Sequence, residues 1–127
     1  MDLRIILLWS AVIISVITFA VHTFIGGPRV AAPLLANTSL PRASKWLNYF
    51  CWHMVTIYTF TIGGAYAYVA LHPTKLELVF FLTVLNTAFA ILSAAVAIKG
   101  KIHPLRFPST SLFSILSLLG FFSTILG

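Results

Sequence analysis

Four stretches of this chain, 5–28, 46–74, 78–98 and 107–127, contain no Asp, Glu, Lys or Arg. A helix needs about 20 apolar residues to cross a bilayer, and each stretch can supply them. No other feature constrains the fold as strongly. Charged residues make up 8% of the chain and hydrophobic ones 60%, whereas soluble domains carry roughly 25% charged residues. A surface so poor in charge cannot be solvated on all sides, but it can face lipid. The chain therefore reads as an all-α membrane protein. Pro, Gly and Lys punctuation sets spans of about 3–25, 45–71, 76–98 and 109–126. The fold expected is a four-transmembrane-helix antiparallel bundle forming one domain over 1–127.

Gly26-Gly27-Pro28 is a strong stop for the first helix. Residues 26–44 then read as a connection. Its "VAAPLLANTSLP" is too apolar for a solvated loop and predicts an interfacial segment. His72 to Lys75 is a tight turn that makes spans two and three an antiparallel hairpin. The first apolar run is longer than the h-region of a signal peptide, about 7–15 residues, and no small-x-small site follows it. It predicts a retained span.

The net charge of +6 is scattered over short loops and does not form a nucleic-acid-binding stripe. Arg4 and Lys75 lie at the end that holds both termini; Arg29, Arg42, Lys45, Lys99, Lys101 and Arg106 lie at the other. The positive-inside rule puts the second group in the cytoplasm and both termini on the far side of a bacterial inner membrane. Anionic headgroups are natural partners for such loops.

Small and weakly polar residues favour helix contacts in membranes. At spacings of three and four they form a stripe in each span: Ala11, Ser15, Thr18, His22; His53, Thr56, Phe60, Gly63, Ala67; Val79, Thr83, Asn86, Ala90, Ser93, Ala97; Thr110, Ser114, Ser117, Phe121, Thr124. This period is that of a left-handed packing seam.

His22 and His53 sit on two such seams near one membrane end, where they can meet or share a ligand. Two facing histidines can hold haem b from both sides, with Arg29, Arg42 or Lys45 for its propionates, unless Trp52 and Phe60 fill the gap. A metal ion would draw on His22, His53 and Cys51 or His103, although residues two apart on a helix, such as Cys51 and His53, diverge. The structural alternative is that both histidines bond Thr18, Thr56 or Tyr49 inside the bundle. Asn86 is either an interhelical bond or, with Ser114 and Ser117, the lining of a homo-oligomeric channel. His72 reads as a helix-end residue.

The two acids, Asp2 and Glu77, lie outside the spans. Proton-coupled transporters usually place a carboxylate within one, and Ser-His-Asp catalysis needs an acid. One cysteine excludes an intramolecular disulfide. The only catalytic alternative left open is proton transfer by His22 and His53.

"HTFIGGPRVAAPLL" (His22 to Leu35) followed by "CWHMVT" (Cys51 to Thr56) resembles a group of small proteobacterial four-span proteins sharing H-x3-GG-P…PLL and WH-x2-T segments. The resemblance implies the same fold and points to the His22/His53 end, without supplying a reaction. More distantly, the chain resembles membrane haem proteins that pair histidines across helices. The reading favoured by the sequence is a non-enzymatic accessory or scaffold component working with a membrane-protein partner or a second copy. A haem, metal or small-ligand binder and a channel are the alternatives.

Overall fold

The structure, a computed structural model, describes residues 2–126. These residues form four helices long and apolar enough to span a membrane: α1 (Leu3–Ala36), α2 (Arg42–Leu71), α3 (Leu76–Lys99) and α4 (Pro108–Ile125). A single 3-10 turn, Pro104–Arg106, precedes α4. The expected all-α four-helix bundle is the architecture found.

The first helix does not stop at Gly26-Gly27-Pro28. It continues as a π-helix over Val21–Ala31 and returns to α-geometry for Ala32–Ala36. The physical reason lies in the backbone. A glycine ends a helix by taking a left-handed conformation, and among the described residues no glycine has positive φ. Pro28 lacks an N–H and would crowd the carbonyl four residues back in an α-helix, whereas the wider π turn accommodates it. The expected interfacial loop 26–44 therefore shrinks to residues 37–41. There the Asn37 side chain accepts bonds from the backbone N–H groups of Ser39 and Leu40, both at 2.9 Å.

Around the bundle, α1 packs against both α2 and α4, and α3 packs against α4. The turn over 72–75 joins α2 to α3, yet their backbones pack least of the neighbouring pairs. Tyrosines bridge that gap. Tyr58 donates to Asn86 Oδ1 at 3.1 Å, Asn86 Nδ2 donates to the Tyr66 hydroxyl at 3.1 Å, and Tyr66 donates to the Leu116 carbonyl at 3.4 Å. Asn86 is fully buried. One amide thus ties α2, α3 and α4 together through satisfied bonds, the arrangement a polar group in hydrocarbon requires. Between α3 and α4, Thr87 pairs with Ser117, and Ser93 pairs with Ser109 and Thr110. At the terminal end Arg4 Nε donates to the Ser123 carbonyl at 3.1 Å.

The expected seams hold for two helices and shift in two. On α1 the buried residues are Leu8, Ala11, Ser15 and Thr18. On α3 they include Val79, Asn86, Ala90 and Ala97. On α2 the inward residues are Thr59, Ile62, Gly63, Tyr66, Val69 and Ala70, while Phe60 is 71% exposed. On α4 they are Thr110, Phe113, Leu116, Gly120 and Ser123. Gly120 marks the closest crossing. A methyl group there would overlap the Thr83 hydroxyl and come within 3.3 Å of the Tyr66 oxygen. Gly120→Ala is expected to lower stability by about 1–2 kcal/mol, because Thr83 must give up its bond to the Val79 carbonyl or the helices must part. An SDS-unfolding titration in mixed micelles measures this.

Candidate functional site

The π segment of α1 carries His22 into contact with α2. Its Nε2 lies 3.1 Å from the Trp52 carbonyl and 3.1 Å from Thr56 Oγ1. A carbonyl can only accept, so Nε2 bears the proton and donates. Thr56 itself donates to the same carbonyl at 3.2 Å. Whenever the ring is neutral, the lone pair therefore sits on Nδ1, which has no partner among the described residues. Thr56 is one of the partners the sequence offered for this histidine.

The imidazole also stacks on the Trp52 indole, with ring centroids 3.9 Å apart and planes 21° apart. Gly26, one turn further along α1, makes room for that indole. A Cβ at Gly26 would stand 2.7 Å from Trp52 Cη2. The stack accounts for the residue types at both ends of the quoted motif: a histidine and a glycine four apart on α1, and a tryptophan on α2.

The local backbone leaves a trace in Thr23. Ser10, Ser15 and Thr18 on α1 each donate to the carbonyl four residues earlier. Thr23 lies within the π turn, where that carbonyl is displaced, and its buried hydroxyl has no partner. π-helical turns of this kind often mark functional sites.

Beside the stack lies a cavity of about 500 Å³, within the range of about 300–1,000 Å³ usual for small-molecule sites. Its inner end is Thr18 and Thr59. His22, Trp52, Leu112 and Phe113 form the middle, and Arg29, Arg106 and Pro108 form the outer end. The walls are largely apolar. The polar groups are few: the hydroxyls of Thr18, Thr59 and Ser109, the His22 ring and the two guanidiniums.

The other candidates fall elsewhere. His53 is exposed and meets the edge of Tyr49, with centroids 4.5 Å apart. Successive helical residues point about 100° apart, so the turn that brings Trp52 to His22 carries His53 away. Trp52 is the side chain that stacks directly on His22. Cys51 is exposed. His103 Nδ1 accepts from the Leu105 backbone N–H at 3.3 Å, which caps the 3-10 turn. His72 Nδ1 donates to the Tyr68 carbonyl at 2.9 Å, the expected helix-end role. Among the described residues no three His, Cys, Asp or Glu side chains converge as a metal site would require.

The supposed channel residues spend their polar groups inside the bundle. Asn86 joins the two tyrosines, Ser117 pairs with Thr87, and Ser114 donates to the Thr110 carbonyl at 2.6 Å.

Sequence reasoning did not single out Gly26 or Arg106 as site residues, and it named Arg29 only as a possible partner for haem propionates. The spacing of His22, Gly26 and Arg29, four then three, places them on one helical face and was a usable signal. Arg106 arrives from a different loop, and no local pattern announces it. Compared with protein-family profiles, curated proteins and solved structures, the chain gives no match.

Proposed function

We propose that this chain is a small-ligand-binding membrane protein whose pocket is the cavity beside the His22–Trp52 stack. The observation that carries the reading is the combination of that cavity with His22 in its lining, a ring whose Nδ1 has no hydrogen-bond partner among the described residues. Apolar pockets with a few convergent polar groups are the usual form of a binding site. A neutral His22 presents Nδ1 as an acceptor, so a ligand hydroxyl or N–H has a partner there. The segments that carry the likeness to small proteobacterial four-span proteins, His22 to Pro28 and Trp52 to Thr56, are the two that meet at the stack. Membership of that group, residence in an inner membrane, and cytoplasmic placement of residues 37–41 and 100–107 belong to the same proposal. Six of the eight Lys and Arg residues support that orientation.

The test is native mass spectrometry of protein extracted from its own membrane in mild detergent. A retained ligand mass is expected in the wild type. It should vanish in Leu112→Trp, which fills the cavity from α4. An absorption spectrum of the same sample shows whether the ligand is a chromophore, and a Soret band would identify haem. Wild-type protein without any retained mass would overturn the binding reading.

A second reading, an accessory or scaffold subunit, has its own observation. Ser15, Gly63 and Gly64 line a shallow groove between α1 and α2, and a Cβ at Gly64 would meet nothing within 4 Å. A partner helix can approach closely at such a place. Co-purification of a stoichiometric partner that is lost in Gly64→Leu would favour this reading.

A further inference from the structure

We infer that the occupant of the cavity is an acidic phospholipid, its headgroup held by Arg29 and Arg106 and one acyl chain lying against Trp52. The inference rests on the ligand-binding reading above and names the ligand's class. Three observations lead to it.

The first is charge. Arg29 comes from α1 and Arg106 from the turn before α4, and both line the outer end of one cavity. Neither makes a side-chain hydrogen bond or ion pair among the described residues, whereas Arg4 and Lys45 each find a backbone carbonyl. The chain's two acids cannot serve them. Asp2 begins α1 and Glu77 lies in the first turn of α3, both at the opposite end of the bundle. Two guanidiniums beside an apolar cavity call for an anion from outside the chain, and arginine is well suited to phosphate.

The second is depth. Arg29 and Thr18 mark the two ends of the cavity along α1, eleven residues apart in the sequence. At about 1.5 Å per residue, and less within the wider π turns, the cavity is roughly 15 Å long. That is about half the hydrocarbon thickness of roughly 30 Å, the depth one acyl chain occupies in one leaflet. The charged end of the cavity is the one nearer the end of the bundle, and the deeper end carries no charge, the order of charge along a lipid.

The third is chemistry along the path. Val21, Ile25, Leu112 and Phe113 supply apolar wall below the arginines. A free inorganic anion has no use for that wall, and a neutral hydrocarbon has none for the guanidiniums. A molecule with an acidic head and an aliphatic tail matches both.

Trp52 is a built-in reporter. In a Trp9→Phe/Trp46→Phe background it is the only tryptophan. The protein is placed in phosphatidylcholine nanodiscs containing increasing fractions of phosphatidylglycerol with brominated chains, which quench an indole on contact. The expected result is quenching that saturates at low mole fraction and is not reversed by millimolar inorganic phosphate. Arg29→Ala/Arg106→Ala should raise the half-saturating fraction roughly thirtyfold, from about 1 kcal/mol per arginine near an anionic surface. Arg42→Ala/Lys99→Ala, which removes the same charge from the same membrane end, should change it far less. Equal quenching by brominated phosphatidylcholine, or equal loss in the two double variants, would overturn the headgroup assignment while leaving a chain-accepting cavity in place. Reversal by inorganic phosphate would overturn the lipid as occupant. Absence of saturable quenching with either lipid would overturn this inference and the binding reading together.

Discussion

Asn86→Leu is expected to destabilise the bundle by about 2–3 kcal/mol, read as a lower SDS midpoint in mixed micelles. Leucine shares asparagine's branching and number of heavy atoms, so no cavity is left and the loss is chiefly one of bonding. Asn86 Oδ1 is the acceptor for the Tyr58 hydroxyl, and Nδ2 donates to Tyr66. Tyr66 keeps the Leu116 carbonyl as an acceptor. Tyr58 keeps nothing. Interhelical hydrogen bonds in membranes contribute about 0.6 kcal/mol on average and at most about 1.7, while a stranded buried hydroxyl costs about 1–3 kcal/mol. The stranded Tyr58 therefore carries most of the effect. The double variant Asn86→Leu/Tyr58→Phe should recover about 1 kcal/mol, because it removes the orphan along with its partner. Equal stability of Asn86→Leu and wild type would mean that the backbones of α2 and α3, which pack little against each other, are held by something other than this amide.

This network also shows where the sequence is legible and where it is not. Asn86 could be placed inside the bundle because a mid-membrane amide has few alternatives. Its partners could not be named. Both are tyrosines, and a search for small residues at helix contacts passes over large ones. The same bias moved the expected seam of α2 onto His53 and Phe60, when Thr59, Ile62 and Tyr66 face inward. On α4 it favoured Ser114 and Ser117 over Phe113 and Leu116. On α1 and α3 the small residues do lie inward, and there the pattern sufficed. The four spans were legible because hydrophobic length is a property of the chain alone. Gly26-Gly27-Pro28 was misleading because punctuation acts through backbone conformation, and neither glycine adopts the positive φ that ends a helix. The site was half legible. His22 stood out as an imidazole in hydrocarbon, and Thr56 was among its expected partners. The π turn that delivers His22 to Trp52, and the loop that delivers Arg106 to the cavity mouth, depend on tertiary structure.

Gly26→Ala and Gly27→Ala are expected to act in opposite directions although the residues are neighbours. In a helix, replacing glycine by alanine normally stabilises by about 0.5–1 kcal/mol, through the lower entropy of the unfolded chain. At Gly27 a Cβ meets nothing within 4 Å, so this gain should appear in full. At Gly26 the Cβ would stand 2.7 Å from Trp52 Cη2 and 3.2 Å from Cζ2. The indole cannot move away freely. The ring is stacked on His22, and the backbone carbonyl of the same residue receives the His22 Nε2 proton. To admit the methyl group, either Trp52 leaves the stack or α1 and α2 separate, and overpacking of this kind costs about 1–3 kcal/mol. The net expectation for Gly26→Ala is a loss of about 2 kcal/mol. In the Trp9→Phe/Trp46→Phe background the emission of Trp52 should shift as the indole is released from the imidazole, while Gly27→Ala leaves the spectrum unchanged. Because Trp52 also lines the cavity, Gly26→Ala should weaken retention of the bound ligand, and Gly27→Ala should not. Identical behaviour of the two variants would mean that the indole does not rest on Gly26, and the stack would lose its role in shaping the pocket.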